Sequence, residues 1–203
     1  MPDDAALETI GRLYKEPHPL VLAKTLDHVD RHGRRFIALS PFAMVATVGE
    51  AGLDVSPRGG GPGFVHVSED GKTLTMPDRP GNNRLDTLRN IARHDARVGM
   101  LFMIPGIDDC YRVNGEAALV DDPALAATFE DFGKVPASLL RISVRETFLH
   151  CPKAMMRADL WGDKYRQERE ALPTISEMVS EQLGLDRKLG SREEQREAAR
   201  TQL

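Results

Sequence analysis

The sequence predicts a mainly β domain with flanking helices, which is an α+β fold. Short apolar runs separated by turn-forming residues follow one another between residues 42 and 76. Two longer apolar runs, 97–104 and 111–120, form a further hairpin pattern. At both ends of the chain, apolar residues recur instead at helical spacing. A succession of hairpins of this kind can close into a small barrel, with the helices lying outside it.

Residues 1–34 predict two helices. Glu16-Pro17-His18-Pro19 would end the first and His32-Gly33 the second, because proline and glycine interrupt helices. The apolar stripes are Leu7, Ile10, Leu13 and Tyr14 in the first helix, and Leu20, Leu22, Leu26 and Val29 in the second.

Four short strands are predicted next. Two of their connections, 49–52 and 69–71, have the glycine-containing composition of hairpin turns. A loop rich in glycine and proline, 58–63, follows the second strand. The predicted strands are Phe42–Val48, Leu53–Arg58, Phe64–Val67 and Lys72–Met76.

An anion site is predicted directly after the fourth strand. Pro80-Gly81 breaks the strand, and Asn82 is a suitable N-cap for a helix that runs to Arg93. The first turn carries Asn83 and Arg84 beside unpaired backbone N–H groups at the positive end of the helix dipole. Such a turn can bind phosphate, whereas the alternative is a surface loop before an ordinary amphipathic helix. The expected apolar face is Leu85, Leu88, Ile91 and Ala92.

The remaining strands include the most apolar run of the chain. Arg97–Ile104 predicts a strand covered on both faces, with Tyr111–Val120 as its hairpin partner. Arg112 alternates with apolar neighbours, and we expect it to have a structural or interface role. Residues 123–132 predict a helix with proline in its first turn. Leu139–Leu149 alternates apolar and polar residues as the last strand of the barrel.

The segment after the last strand contains adjacent His150 and Cys151. This adjacency does not predict catalysis, because a nucleophile and its base are neighbours in space rather than in sequence. Two ligands without a third and fourth do not make a metal site either. Lys153 and Arg157 are four residues apart and would share one face of a short helix, with Trp161 one turn later.

A helix and a charged segment end the chain. Thr174–Leu183 predicts an amphipathic helix that Gly184 ends. Residues 186–203 lack an apolar stripe, so we expect a solvated or disordered tail, or a helix that forms only with a partner.

Charge and cysteine content exclude several classes of protein. The net charge of −4 and the pI near 5.9 argue against a nucleic-acid partner. Two cysteines, Cys110 and Cys151, give no disulfide framework. No apolar run approaches a membrane span, and no signal-segment pattern is present. We therefore expect a soluble, cytoplasmic protein without metal or membrane partners.

Four segments of the chain resemble the pyridoxamine 5′-phosphate oxidase-like flavoproteins, and within them a subgroup of FMN-dependent enzymes. The most specific motifs are S-P-R-G at 56–59, P-D-R-x-G-N-N-R at 77–84 and H-C-x-K-A at 150–154. The resemblance covers residues 35–162. Its segments are LDVSPRGGGPGFVHV, TMPDRPGNNRLDTLRNI, VGMLFMIPGIDDCYRVNGEAALV and FLHCPKAMMRADLW.

The resemblance implies a six-stranded split β-barrel that forms a homodimer, with FMN in a groove between the subunits. It divides the chain into an N-terminal helical segment at 1–34, the FMN-binding barrel at 35–162, and a C-terminal helix with a charged tail at 163–203. The residues alone predict only a barrel with an anion site.

The resemblance also implies residues that hold the cofactor. Arg58 and Arg84 suit bidentate binding of the phosphate, and the backbone of Thr75–Asp78 would line the edge of the flavin ring. Ser56 and both asparagines of the anion site would add hydrogen bonds, while the segment after the last strand would approach the ring across the dimer. The implied cofactor-binding residues are Ser56, Arg58, Met76, Pro77, Asp78, Asn82, Asn83, Arg84, Lys153, Arg157 and Trp161.

The implied activity is hydride transfer between a reduced nicotinamide donor and an unidentified small substrate. Hydride transfer needs no obligatory general base, and no catalytic residue is predicted. The C-terminal strand that carries substrate-binding residues in pyridoxamine phosphate oxidases proper is missing from this sequence, so we do not expect a vitamin substrate. The alternatives are a relative that uses a deazaflavin or haem, and a non-catalytic protein that binds or sequesters flavin.

Overall fold

The computed structural model describes residues 4–185 and 190–201, and its central element is one antiparallel sheet. The predicted strands are all present, with ends shifted by a few residues. They are β1 (Phe42–Gly49), β2 (Gly52–Gly59), β3 (His66–Val67), β4 (Thr73–Asp78), β5 (Asp95–Ile104), β6 (Ile107–Val120) and β7 (Ser138–His150).

The strand order in the sheet is β2-β1-β5-β6-β7-β4-β3. The two longest strands, β6 and β7, pair from Cys110–His150 to Val120–Leu139 and join the two halves of the sheet. The fold is the predicted α+β split barrel. It has seven strands instead of six, because β3 pairs with β4 over only two residues at one edge. Phe64 and Val65 were predicted in that strand but are buried before it begins.

Helices flank this sheet. α4 packs against β1 and β5 and is the helix most closely associated with it. Within the described residues, no helix is both long and apolar enough to cross a bilayer. The helices are α1 (Asp4–Leu13), α2 (Pro19–Ala23), α3 (Arg31–Leu39), α4 (Asp86–Arg93), α5 (Pro123–Ala127), α6 (Lys153–Ala158), α7 (Ile175–Leu183) and α8 (Arg192–Arg200), with a 3₁₀ turn at Arg169–Ala171.

The predicted helix stop at His32-Gly33 is wrong, since both residues lie within α3. Asp30 caps that helix, and its Oδ1 accepts a hydrogen bond from Gly33 N at 2.7 Å. A Cβ on Gly33 would lie 2.2 Å from Tyr111 Oη. Glycine is therefore needed here for close approach of α3 to β6, and not as a helix breaker. As a consequence, α3 crosses the boundary predicted between residues 34 and 35.

The hydrophobic core lies on one face of the sheet, under α3 and α4. In β5, Val98, Met100 and Phe102 point into it, as expected for alternate residues of a strand. Leu101 and Met103, on the opposite face, are only half-buried. The cover predicted for this second face is thus incomplete within the described part of the chain.

The C-terminal region contains more helix than the sequence predicted. α7 begins and ends as expected, with Thr174 in a capping box and Gly184 at a left-handed C-cap. Of the alternatives predicted for the charged tail, disorder is wrong for residues 192–200, because they form α8, which Ser191 caps. Residues 186–189 and 202–203 of the predicted tail lie outside the described residues.

Candidate functional site

A cavity of about 700 Å³ opens where β2, β4 and the loop before α4 meet. Its volume is within the usual range for small-molecule and cofactor sites. Most of the cofactor-binding residues implied by the sequence line it. They are Ser56, Arg58, Pro77, Asp78, Asn82, Asn83 and Arg84.

Arg58 is a cation of this cavity that is held by a buried hydrogen-bond partner. It lies on β2, and its Nη2 donates a hydrogen bond to Thr87 Oγ1 at 2.9 Å. Thr87 belongs to the first turn of α4 and is fully buried. Arg58 Nη1 reaches the Pro57 carbonyl at 3.3 Å, whereas Nε is buried without a hydrogen-bond partner among the described residues. An unsatisfied charged donor of this kind is costly, so it calls for an acceptor from water or a ligand; Nε of Arg79, in the same cavity, is in the same state.

The helix after the loop starts later than predicted, and Asn82 is not its N-cap. Asn82 Oδ1 instead accepts a hydrogen bond from Arg84 N at 3.0 Å. Asn83 and Leu85 then take left-handed backbone angles, with φ of 58° and 57°. These local turns exclude helical geometry until Asp86. Asparagine tolerates such a φ, but a leucine there is an outlier, and strain of this kind concentrates at functional sites.

Arg84 lies at the solvent edge of the cavity, with 74% of its side chain exposed. Its Nε donates to Asp86 Oδ2 at 2.7 Å. The predicted first turn therefore carries a carboxylate that offsets part of the arginine charge. The two terminal nitrogens of Arg84 make no hydrogen bond to another described residue, which leaves them available to an anion.

The inner face of α4 is partly polar. Leu88 and Ile91 pack on the core as predicted, whereas the prediction is wrong for Leu85 and Ala92, which are exposed. Asn90 Nδ2 instead donates to Thr47 Oγ1 at 3.0 Å. This bond and the one between Arg58 and Thr87 tie α4 to β1 and β2. Apolar periodicity could not reveal either bond.

Asp78 adds a negative charge to the cavity at the end of β4. Burial raises the pKa of this carboxyl above its usual value, and the nearby Arg58 charge opposes that effect. Burial therefore disfavours the charged form of Asp78, and the Arg58 charge offsets part of this effect.

Arg79 is a cavity residue that the predicted set omitted, although it lies within the P-D-R-x-G-N-N-R motif. Its Nη2 donates to the Phe129 carbonyl at 2.8 Å and its Nη1 to the Lys134 carbonyl at 3.2 Å. Asp131 Oδ2 lies 3.7 Å from Arg79 Nη2 and also accepts a hydrogen bond from Gly61 N at 3.0 Å. These contacts join three loops around the far side of the cavity, and only the folded chain brings them together.

The remaining predicted cofactor-binding residues do not line this cavity. Met76 lies on β4, but its side chain is buried in the core. Lys153 and Arg157 lie on α6, which packs against β6, and Trp161 Nε1 donates to the Ile107 carbonyl at 2.9 Å. The role predicted for these last three residues requires a second subunit, and it stays a prediction.

Comparison with known proteins identifies one family. The family model described as pyridoxamine 5′-phosphate oxidase matches residues 29–151, which is more than half of the chain. No curated protein matches.

Solved structures with a similar fold share little sequence with this chain. HupZ of Group A Streptococcus is 20% identical, with a TM-score of 0.47 over 60% of this chain and 93% of that one. General Stress Protein 26 from Bacillus anthracis is 16% identical, with a TM-score of 0.43 over 58% and 93%. A NimC/NimA family protein from Clostridium acetobutylicum is also 16% identical, with a TM-score of 0.41 over 59% and 92%. Similarity at this level carries no information about activity.

Proposed function

The chain belongs to the pyridoxamine 5′-phosphate oxidase family, and on that premise we propose that it is an FMN-dependent oxidoreductase. The observation that best supports this proposal is the buried Nε of Arg58, which lines the cavity without a partner among the described residues. A phosphate oxygen is an acceptor of the right charge for it.

The proposed phosphate site lies between Arg58 and Arg84. Arg58 is oriented by Thr87, and Arg84 keeps two terminal nitrogens for the ligand. The side chains of Asn82 and Asn83 lie in the loop between these arginines and line the same cavity. An anion bound there would satisfy the Nε donor of Arg58. The cavity lining carries four cations, Arg58, Arg79, Arg84 and Lys134, against three carboxylates, Asp78, Asp86 and Asp131.

When bound, FMN supplies reversible hydride acceptance at its ring, and the protein has to bind, orient and shield it. Pro77 and Asp78 at the end of β4 line the cavity and would lie along the flavin. The half-buried Asp78 carboxyl lies close enough to Arg58 to feel its charge, and burial favours the neutral form of this carboxyl beside a bound phosphate. Hydride transfer itself requires no side chain to move a proton.

We also propose that the protein is a homodimer, with each flavin groove completed by the partner. The outer face of the sheet supports this. One continuous row across it runs from Val55 through Ala46, Gly99 and Asn114 to Glu146, in paired register. This row is apolar at one end and lies beside the half-buried Leu101 and Met103. We propose that a second copy covering this face contributes its Lys153, Arg157 and Trp161 to the groove.

The experiment is a visible spectrum of the purified protein, followed by anaerobic addition of NADH or NADPH. Flavin bands that bleach on addition support the oxidoreductase. Flavin bands that persist with both nucleotides support a flavin-sequestering protein instead, and a haem or deazaflavin spectrum would contradict FMN.

We further propose a reducing, cytoplasmic location, with which the free thiols of Cys110 and Cys151 agree.

A further inference from the structure

An aromatic residue with a strained backbone stands at the mouth of the cavity. Phe132 and Gly133 are the central residues of a tight turn, with φ of 52° and 71°. The turn is closed by two backbone hydrogen bonds between Asp131 and Lys134, of 3.2 and 3.0 Å. Positive φ at both central positions is the pattern of a type I′ turn, which favours asparagine or glycine. A phenylalanine in this conformation is an outlier.

Neighbouring groups fix this turn in place. Asp131 Oδ1 accepts from Phe132 N at 3.0 Å, and Asp131 Oδ2 accepts from Gly61 N at 3.0 Å. Arg79 donates to the Lys134 carbonyl and lies 3.7 Å from Asp131. Since these contacts involve the backbone of residue 132 and its neighbours, none of them requires a phenylalanine side chain.

The Phe132 ring is itself unfavourably placed for stability. It is 60% exposed, and it lines the cavity instead of the core. A large apolar ring held in a strained and exposed position is better explained by contact with a ligand than by packing.

Lys134, on the other side of Gly133, adds a positive charge at the same place. It lines the cavity and is half-buried. Its Nζ donates a hydrogen bond to the Thr201 carbonyl at 3.3 Å and pairs with no carboxylate among the described residues. The cavity lining thus includes an aromatic ring and, two residues along the chain, an ammonium group that pairs with no carboxylate of the described residues.

We propose that Phe132 and Lys134 form a substrate subsite for a flat ring that carries a negative charge, of the aromatic carboxylate class. The ring stacks on Phe132, and the carboxylate pairs with Lys134. This inference rests on the proposed function, because it assigns the Arg58 end of the cavity to the flavin phosphate and the Phe132 end to the substrate.

The test uses benzoate as the probe and cyclohexanecarboxylate as a probe of equal charge that is not flat. Binding is measured by calorimetry on the full chain, both loaded with FMN and stripped of it. The wild type should prefer benzoate by about three- to tenfold, the range expected for an aromatic contact. Phe132→Leu should bind both acids equally. Lys134→Met should weaken benzoate and leave the neutral analogue benzamide unchanged.

Tyr165→Leu is the matched control. Tyr165 is also an exposed aromatic residue beside a lysine, with Lys164 Nζ 4.9 Å from its ring centroid, but it lies outside the cavity. This variant should keep the wild-type preference for benzoate.

A stability measurement separates the subsite from a packing role. Phe132→Asn should raise the melting temperature by about 2–4 °C, since asparagine tolerates the left-handed backbone. A fall in melting temperature would show that the ring stabilises the fold, and would overturn the proposal. Equal binding of the two acids by the wild type would also overturn it.

Flavin titrations distinguish the two proposals from each other. If Phe132→Leu weakened FMN and riboflavin equally, Phe132 would stack on the flavin and the substrate assignment would be wrong. If the wild type bound no FMN, the proposed function would fail, while a preference for benzoate in the stripped protein would still support the aromatic subsite.

Discussion

Arg58 and Thr87 are joined by a 2.9 Å hydrogen bond that links β2 to the first turn of α4. The acceptor is a fully buried hydroxyl, and the donor is one terminal nitrogen of the guanidinium. Because a guanidinium is planar, one fixed nitrogen restricts the direction of the others. The Nε of Arg58, which has no partner in the part of the chain that the structure describes, is therefore restricted in direction by the contact with Thr87.

Thr87→Val should weaken FMN binding by about three- to tenfold, because one hydrogen bond that orients Arg58 is lost while the side-chain shape is kept. Fluorescence titration of FMN into the stripped protein measures this. Thr87→Ser retains the hydroxyl and should bind FMN almost as well as the wild type. The opposite ranking, with valine better than serine, would mean that the methyl group matters and the hydroxyl does not.

Asp78→Asn should make the stripped protein more stable at pH 7. Burial raises the pKa of the Asp78 carboxyl in the folded state, so the fold disfavours its charged form. As the pH rises from the usual value of 3.8 through the raised pKa, the unfolded chain loses this proton first and the folded state loses stability relative to it. Asparagine does not ionise, so Asp78→Asn removes this loss of folding stability.

The advantage of Asp78→Asn should accordingly shrink as the pH is lowered towards 3.8. Melting temperatures of both proteins between pH 4 and pH 7 test it. A constant difference across this range would contradict the assigned protonation behaviour of Asp78.

Val55→Glu should convert the proposed dimer into a monomer. Val55 is 58% exposed on the outer face of β2, so a charge there leaves the isolated chain intact but would be buried between two copies. Sedimentation velocity at micromolar concentration measures the state. Leu119→Glu changes a leucine of similar exposure, 50%, near the end of β6 and serves as the control. A wild type that sediments as a monomer with flavin bound would disprove the dimer.

The sheet was predictable from the sequence because apolar alternation and glycine turns are local signals. Strands such as Phe42–Gly49 and Asp95–Ile104 bury alternate residues, and their ends lie close to those predicted. Helix starts were less predictable. At Asn82 an Asx-type turn competes with the N-cap that the same side chain could have formed, and short sequence patterns do not separate the two.

The candidate site was predictable only in part, because only its contiguous motifs give a local signal in the sequence. Arg58 and Arg84 came from a motif that is contiguous in sequence. The partner of Arg58 is 29 residues away, and the contact between Asp131 and Gly61 spans 70 residues. The helix predicted over 123–132 is shorter, because it ends at Ala127 and the chain then passes through i to i−3 hydrogen bonds at Thr128 and Phe129. The following turn, 131–134, is held by Arg79 from outside. Such contacts depend on tertiary structure and leave no periodicity in the sequence.

Arg84→Ala provides the sharpest test of the phosphate assignment. Truncating one partner of a charge-assisted hydrogen bond costs about 2–3 kcal/mol, or a dissociation constant about thirty- to hundredfold higher. The variant should therefore lose FMN during purification. It should keep its fold, because the side chain is 74% exposed and its pair with Asp86 lies at the surface.

Arg97→Ala is a close control for Arg84→Ala. Arg97 is 75% exposed and pairs with an aspartate two residues away, as Arg84 does, but it lies on β5 outside the cavity. This variant should bind FMN as the wild type does. Riboflavin, which lacks the phosphate, should bind the wild type and Arg84→Ala about equally. Equal FMN affinity of Arg84→Ala and the wild type would falsify the assignment of Arg84 to the phosphate, whereas equal loss of both flavins would point to a contact with the ring.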